Sequence, residues 1–106
     1  MKQYAVKITN RALADMNAIY EYIAVQLQAP ETAHKQYERI ASAVESLGTL
    51  PDRNPLLDVQ PEHDLGMRRQ LVDNYSVMYV VQDGTVTVLR VLYSASDFVA
   101  RLRDDC

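Results

Sequence analysis

Tyr4, Val6 and Ile8 alternate with Ala5, Lys7 and Thr9 near the start of the chain, the period of two that marks a half-buried strand. Then the period lengthens. Leu13, Met16, Tyr20, Ile23 and Leu27 step by three and four, which places them on one stripe of a helix running from about residue 10 to 28. Thr9 or Asn10 is in position to cap it. Pro30 suits the first turn of a second helix and Glu31 complements its positive end, while Ala33, Tyr37, Ile40, Val44 and Leu47 repeat the spacing until Gly48 supplies a stop. Two helices joined by so short a link fold back as an antiparallel hairpin.

Residues 49–66 contain three prolines and scattered acids with no sustained period, and read as a long connecting loop. MRRQLV (67–72), YSVMYVVQ (75–82) and TVTVLRVLY (85–93) follow as three strands, separated by the two-residue turns Asp73-Asn74 and Asp83-Gly84. Ser96 or Asp97 can cap a short terminal helix bearing Phe98 and Leu102. The expected fold is α+β in a single domain over 1–106, in the order β-α-α-β-β-β(-α), with an antiparallel sheet and the helix hairpin packed on one of its faces. On the last strand Val86, Val88, Arg90 and Leu92 point one way and Thr85, Thr87, Leu89, Val91 and Tyr93 the other, so both faces are substantially apolar. The hairpin covers one; the rest of the chain or a second protein must cover the other. Arg90 lies inside this apolar run and has to keep its charge paired, with Asp97 or a carboxylate of the acidic loop as the expected partner.

Hydrophobic content of 48% and charged content of 24% are ordinary for a folded protein, and no apolar run approaches a membrane span, so a soluble cytoplasmic protein without a membrane partner is expected. The single cysteine, Cys106, rules out an intramolecular disulfide and a Cys-based zinc site, and His34 and His63 read as solvated, so no metal is expected. No phosphate-binding loop, GxSxG or HExxH is present, and no cofactor is expected. Net charge of −3 favours protein over nucleic acid as direct partner, with no sequence-specific DNA binding by this chain alone. Arg68, Arg69, Arg90, Arg101 and Arg103 nevertheless concentrate cations in the C-terminal part.

The pieces Gly66-Met67-Arg68-Arg69, Asn74-Tyr75-Ser76-Val77-Met78-Tyr79 and Val88-Leu89-Arg90-Val91-Leu92-Tyr93, followed by a small-residue turn and Asp97, resemble the C-terminal half of the RelE/ParE superfamily of bacterial type II toxins. The preceding strand and helix hairpin fit the same order. This resemblance implies a small toxin held inactive by a cognate antitoxin whose C-terminal segment wraps it and covers apolar surface. It implies one of two activities: inhibition of DNA gyrase by protein binding, the ParE type, or ribosome-dependent cleavage of mRNA, the RelE type.

RNA cleavage through the 2′-hydroxyl needs a proton acceptor, a proton donor and cations for the phosphate. Where the nuclease branch carries arginines this chain has Ser76 and Ala95, and no histidine follows Tyr93. Arg68, Arg69, Arg90 and Tyr93 remain as the nuclease candidates, and arginine is a poor base. The Leu-Gly-x-Arg-Arg stretch and the Arg-Val-Leu-Tyr-Ser-Ala-Ser-Asp stretch are closer to the ParE branch, and the expected function is gyrase inhibition. A non-toxic adaptor of the same fold is the third reading. Arg68, Arg90, Arg101 and Arg103 are the candidate target contacts, and Tyr75, Tyr79, Leu89 and Tyr93 the candidate antitoxin contacts.

Overall fold

The computed structural model describes residues 3–94 together with Ala100 and Arg103. Strand β1 (Ala5–Ile8) leads into helix α1 (Asn10–Glu21), whose last turn widens into a π-helical turn over Tyr22–Gln26, and α2 (Pro30–Ser46) runs back beside it. Strands β2 (Arg68–Val72), β3 (Tyr75–Gln82) and β4 (Thr85–Tyr93) complete a sheet of order β1-β4-β3-β2. The meander is antiparallel, as its short turns require, and Asp83 and Gly84 both take positive φ, the type I′ condition. β1 differs from expectation: it joins β4 in parallel, because the helix hairpin acts as a crossover that returns the chain in the same sense. The sheet is therefore mixed. The terminal helix expected around Asp97, Phe98 and Leu102 lies outside the described residues.

Thr9 is the N-cap of α1, its hydroxyl accepting from the Ala12 amide at 3.0 Å. The buried stripe of this helix is Ala12, Met16 and Ile23 with Ile19 beside them, whereas Leu13 and Tyr20 of the expected stripe are exposed. Small Ala12 and unbranched Met16 let the backbone lie close on the sheet, which turns the predicted stripe partly outward. Against them pack Ile40 and Val44 of α2, Leu47 at its C-cap, and Val72, Val77, Tyr79, Val86, Val88 and Val91 of the strands. At roughly 1.5–3 kcal/mol for each large apolar side chain buried, this layer dominates the stability of the fold.

The second face is closed by the chain itself. Leu57 and Met67 of the long loop pack on Met78, with Val59, Val80 and Leu89 around them. The loop is pinned there by the Leu57 amide on Met67 O at 2.9 Å and by the bidentate pair of Arg103 with buried Glu62, at 2.8 Å for each contact. The unpatterned loop thus supplies much of the cover that the two-faced strand demands.

Candidate functional site

Arg90 meets a carboxylate of α1, and Asp97, its expected partner, lies outside the described residues. Asp15, on α1, accepts from Arg90 Nε at 2.7 Å and from Nη2 at 3.1 Å, and the side chains are only 14% and 9% exposed. The same carboxylate accepts from the Val91 amide at 3.0 Å. The reason is topological. β1 stops at Ile8, opposite Val88, so the outer edge of β4 beyond that point has lost its neighbouring strand. Thr9 takes over first, its amide donating to Val88 O and its hydroxyl to Leu89 O, and Asp15 follows one step later. A bulge between Met78 and Tyr79 shifts the β3–β4 register at this level. Arg90, expected as a target contact, is instead the cation of a part-buried clamp that fastens α1 to β4.

The other expected cations disperse. Register places Arg68 opposite Tyr79 on the helix side, where its guanidinium donates to Asn54 O at 2.6 Å and approaches Asp52 Oδ1 at 3.7 Å. Arg69 points to the opposite side and donates to Ser76 Oγ at 2.8 Å. Tyr93 pairs with Tyr75, four positions along β3 from Tyr79, so it lies about 13 Å along the sheet from Arg68 at roughly 3.3 Å per residue. The nuclease candidates Arg68, Arg69, Arg90 and Tyr93 are not brought together. Arg103 pairs with Glu62, whose carboxyl lies below the usual range because that hydrogen bond favours the charged form. Arg101 and Ala95 lie outside the described residues. His34 sits 3.0 Å from Glu38 on the exposed face of α2, a carboxylate one turn on that the sequence reading passed over. Among the described residues no three metal-ligating side chains cluster.

Of the four tyrosine and leucine positions expected to meet a partner, Tyr79 needs correction. It has no exposed surface, and its hydroxyl donates to Pro51 O while accepting from Asn54 Nδ2 at 3.1 Å. It faces the helices because its register partner Val88 does. Leu89 is half-buried in the loop-covered layer.

Tyr75 and Tyr93 have a different setting. Their rings meet edge to face at a centroid distance of 5.8 Å and border an open cleft of about 600 Å³ between α1 and the end of the sheet. Ile19, Tyr22, Leu27 and Val91 line it, with Asp15 and Asn74 at its margins. Tyr22, Leu27 and Tyr93 are 55%, 55% and 48% exposed, an apolar concentration with no cover from the rest of the described chain. Tyr22 and Leu27 share this wall because of the π turn. In a regular helix residues five apart diverge by about 140°, whereas the Leu27 amide bonds to Tyr22 O at 3.1 Å and brings one above the other. The Tyr75 hydroxyl is pushed above the ordinary tyrosine value, first by burial and then by neighbouring Tyr93 and Tyr22, so at neutral pH it is a donor and not a base.

A helix hairpin on a four-stranded mixed sheet of order β1-β4-β3-β2 matches the fold of the RelE/ParE toxins. The "Chromosomal ParDE TA system from P. aeruginosa" aligns with a TM-score of 0.72 at 25% identity, over 86% of this chain and 96% of that one. The toxin–antitoxin complex RelBE2 of Mycobacterium tuberculosis shares the fold, with a TM-score of 0.62 at 22% identity over 91% and 97% of the two chains. More particularly, residues 6–98 match the family described as ParE toxin of type II toxin-antitoxin system, parDE, and the chain belongs to that family. A relative from Caulobacter vibrioides, Toxin RelE2, is 32% identical over 82% of this chain and 91% of its own. The chain is a type II toxin of the RelE/ParE superfamily. Among its described residues no helix is long and apolar enough to cross a membrane.

Proposed function

We propose that this toxin acts by binding a protein, DNA gyrase, and that a cognate antitoxin neutralises it by occupying the cleft at Tyr22, Leu27, Tyr75 and Tyr93. The observation that carries the first half is the engagement of the cations. Arg90 is held by Asp15 and Arg69 by Ser76, in one row with Met78 between them, and Arg68 is held by Asn54 O on the other face, so the arrangement favours structural work over phosphate chemistry. An RNA-cleaving site needs those charges converging on one phosphate beside a base. For the second half, the solved relatives from P. aeruginosa and M. tuberculosis are a toxin–antitoxin system and a toxin–antitoxin complex, and the cleft is an apolar surface that the described residues leave uncovered.

The test is gyrase supercoiling of relaxed plasmid with ATP, in the presence of toxin freed from its antitoxin. Inhibition with trapped cleaved DNA is expected. Unimpaired supercoiling by folded toxin, together with arrested translation and cut mRNA in a ribosome assay, would transfer the function to the RelE type.

A further inference from the structure

Leu50 combines a strained backbone with an exposed apolar side chain. It takes φ 52° and ψ 56°, the left-handed region, which a branched apolar residue rarely adopts. Pro51 follows, and a residue before proline is biased further toward extended backbone. Burial does not offset this strain, since Leu50 is 60% exposed. Asp73 and Asp83 share the sign of φ, but in tight turns that suit aspartate.

The corner is nonetheless fixed. Arg53 Nη1 donates to Thr49 O at 2.6 Å and to Ser46 O and Leu50 O at 3.2 Å each, and Nη2 donates to Ser46 Oγ at 2.8 Å, so one guanidinium ties the end of α2 to the turn that follows. Pro51 is buried and its carbonyl receives the Tyr79 hydroxyl, while Thr49 bridges Gln3. Strain held in place by its surroundings, on a side chain left mostly in solvent, points to a contact surface.

The same contacts describe what meets it. The acceptors of Arg53 are carbonyl and hydroxyl oxygens and the Gln70 amide oxygen at 3.5 Å, and among the described residues no carboxylate pairs with it. Its charge therefore stands beside Leu50 without a counter-ion. A complementary surface has an apolar pocket for the leucine and a carboxylate at the rim for the arginine. The corner also stands apart from the aromatic cleft: Tyr79, whose hydroxyl Pro51 receives, is four positions along β3 from Tyr75, about 13 Å at roughly 3.3 Å per residue.

We infer that Leu50 is a knob by which the toxin engages its target, seated in an apolar pocket of DNA gyrase with an acidic residue of that protein on Arg53. The inference rests on the gyrase reading.

Leu50→Gly and Leu50→Asn both accept a positive φ and remove the apolar side chain, whereas Leu50→Met keeps one. Relief of strain predicts that the Gly and Asn variants melt at or above the parent's temperature, with antitoxin affinity unchanged by calorimetry. Loss of a buried leucine from the interface predicts that the same two variants need about tenfold to hundredfold more toxin for half-inhibition of gyrase supercoiling. They should also arrest growth more weakly when expressed without antitoxin, while Leu50→Met stays close to the parent. Folded Gly and Asn variants as potent as the parent in both assays, or an antitoxin affinity that falls with them, would overturn the assignment. Growth arrest separates it from the gyrase reading. If the parent arrests growth without touching supercoiling and the Gly variant loses that arrest, gyrase is the wrong partner and Leu50 remains the contact.

Discussion

Replacing Asp15 by alanine takes from Arg90, whose side chain is only 9% exposed, the carboxylate it grips through Nε and Nη2, and removes the acceptor of the Val91 amide. Breaking a buried pair from one side costs about 3–5 kcal/mol, because the remaining charge stays desolvated, and an amide left without its acceptor adds about 1 kcal/mol. Against a total of about 5–15 kcal/mol for a domain, this is a large fraction. At about 4–8 °C per kcal/mol, the melting temperature should fall by at least 16 °C or so. Urea melts followed by far-UV circular dichroism give the free energy directly. The double variant Asp15→Asn, Arg90→Met removes both charges and keeps a side-chain oxygen for Val91, and it should recover most of the loss, since a buried ion pair contributes little over a packed apolar replacement. An Asp15→Ala variant within 1 kcal/mol (about one edge hydrogen bond) of the parent, or a double variant as unstable as the single one, would refute the assignment of Asp15 as a clamp on a buried charge.

Glu62 has a lowered carboxyl pKa through Arg103, so its contribution is present above the ordinary glutamate range and is lost as pH falls through the folded-state value. Glu62→Gln should therefore flatten the acid limb of the stability curve below about pH 4.3, the unperturbed glutamate value, leave its slope near neutrality unchanged, and show this in pH-dependent thermal melts. Tyr79→Phe deprives the Pro51 carbonyl and the Asn54 amide of a shared partner and should lower stability by about 1–2 kcal/mol in urea unfolding, with no change in antitoxin affinity, because Tyr79 has no surface.

Most of the fold was legible because it rests on local periods. The meander could be read from alternation and from Asp83-Gly84, whose positive φ values few other pairs tolerate, and α2 from Pro30 to its final turn. What escaped was set by distant contacts. The parallel pairing of β1 depends on where an entire hairpin delivers the chain, and the turn of α1 on how closely Ala12 approaches the sheet. The site was half legible. Tyr75 and Tyr93 were visible as strand aromatics near a turn, but Tyr22 lies off the expected helical stripe and reaches the cleft only through a π turn, for which hydrophobic spacing has no signature. Asp15 carried a faint signal, a carboxylate beside the apolar stripe of α1; nothing local linked it to Arg90, 75 positions away.

The pairing of β1 with β4 also sets a clock. Ile8 meets Val88, so the first strand waits for about 80 residues of synthesis before its neighbour exists, an interval of about 4 to 16 s at roughly 5–20 residues per second. β4 is an inner strand, flanked by β1 on one side and β3 on the other, and no smaller sheet containing β1 can form without it. The nascent toxin is thus unable to complete its sheet until β4 has been translated. A product that terminates before β4 lacks the strand that joins β1 to the rest of the sheet, and those seconds are an interval in which a partner can already be at hand.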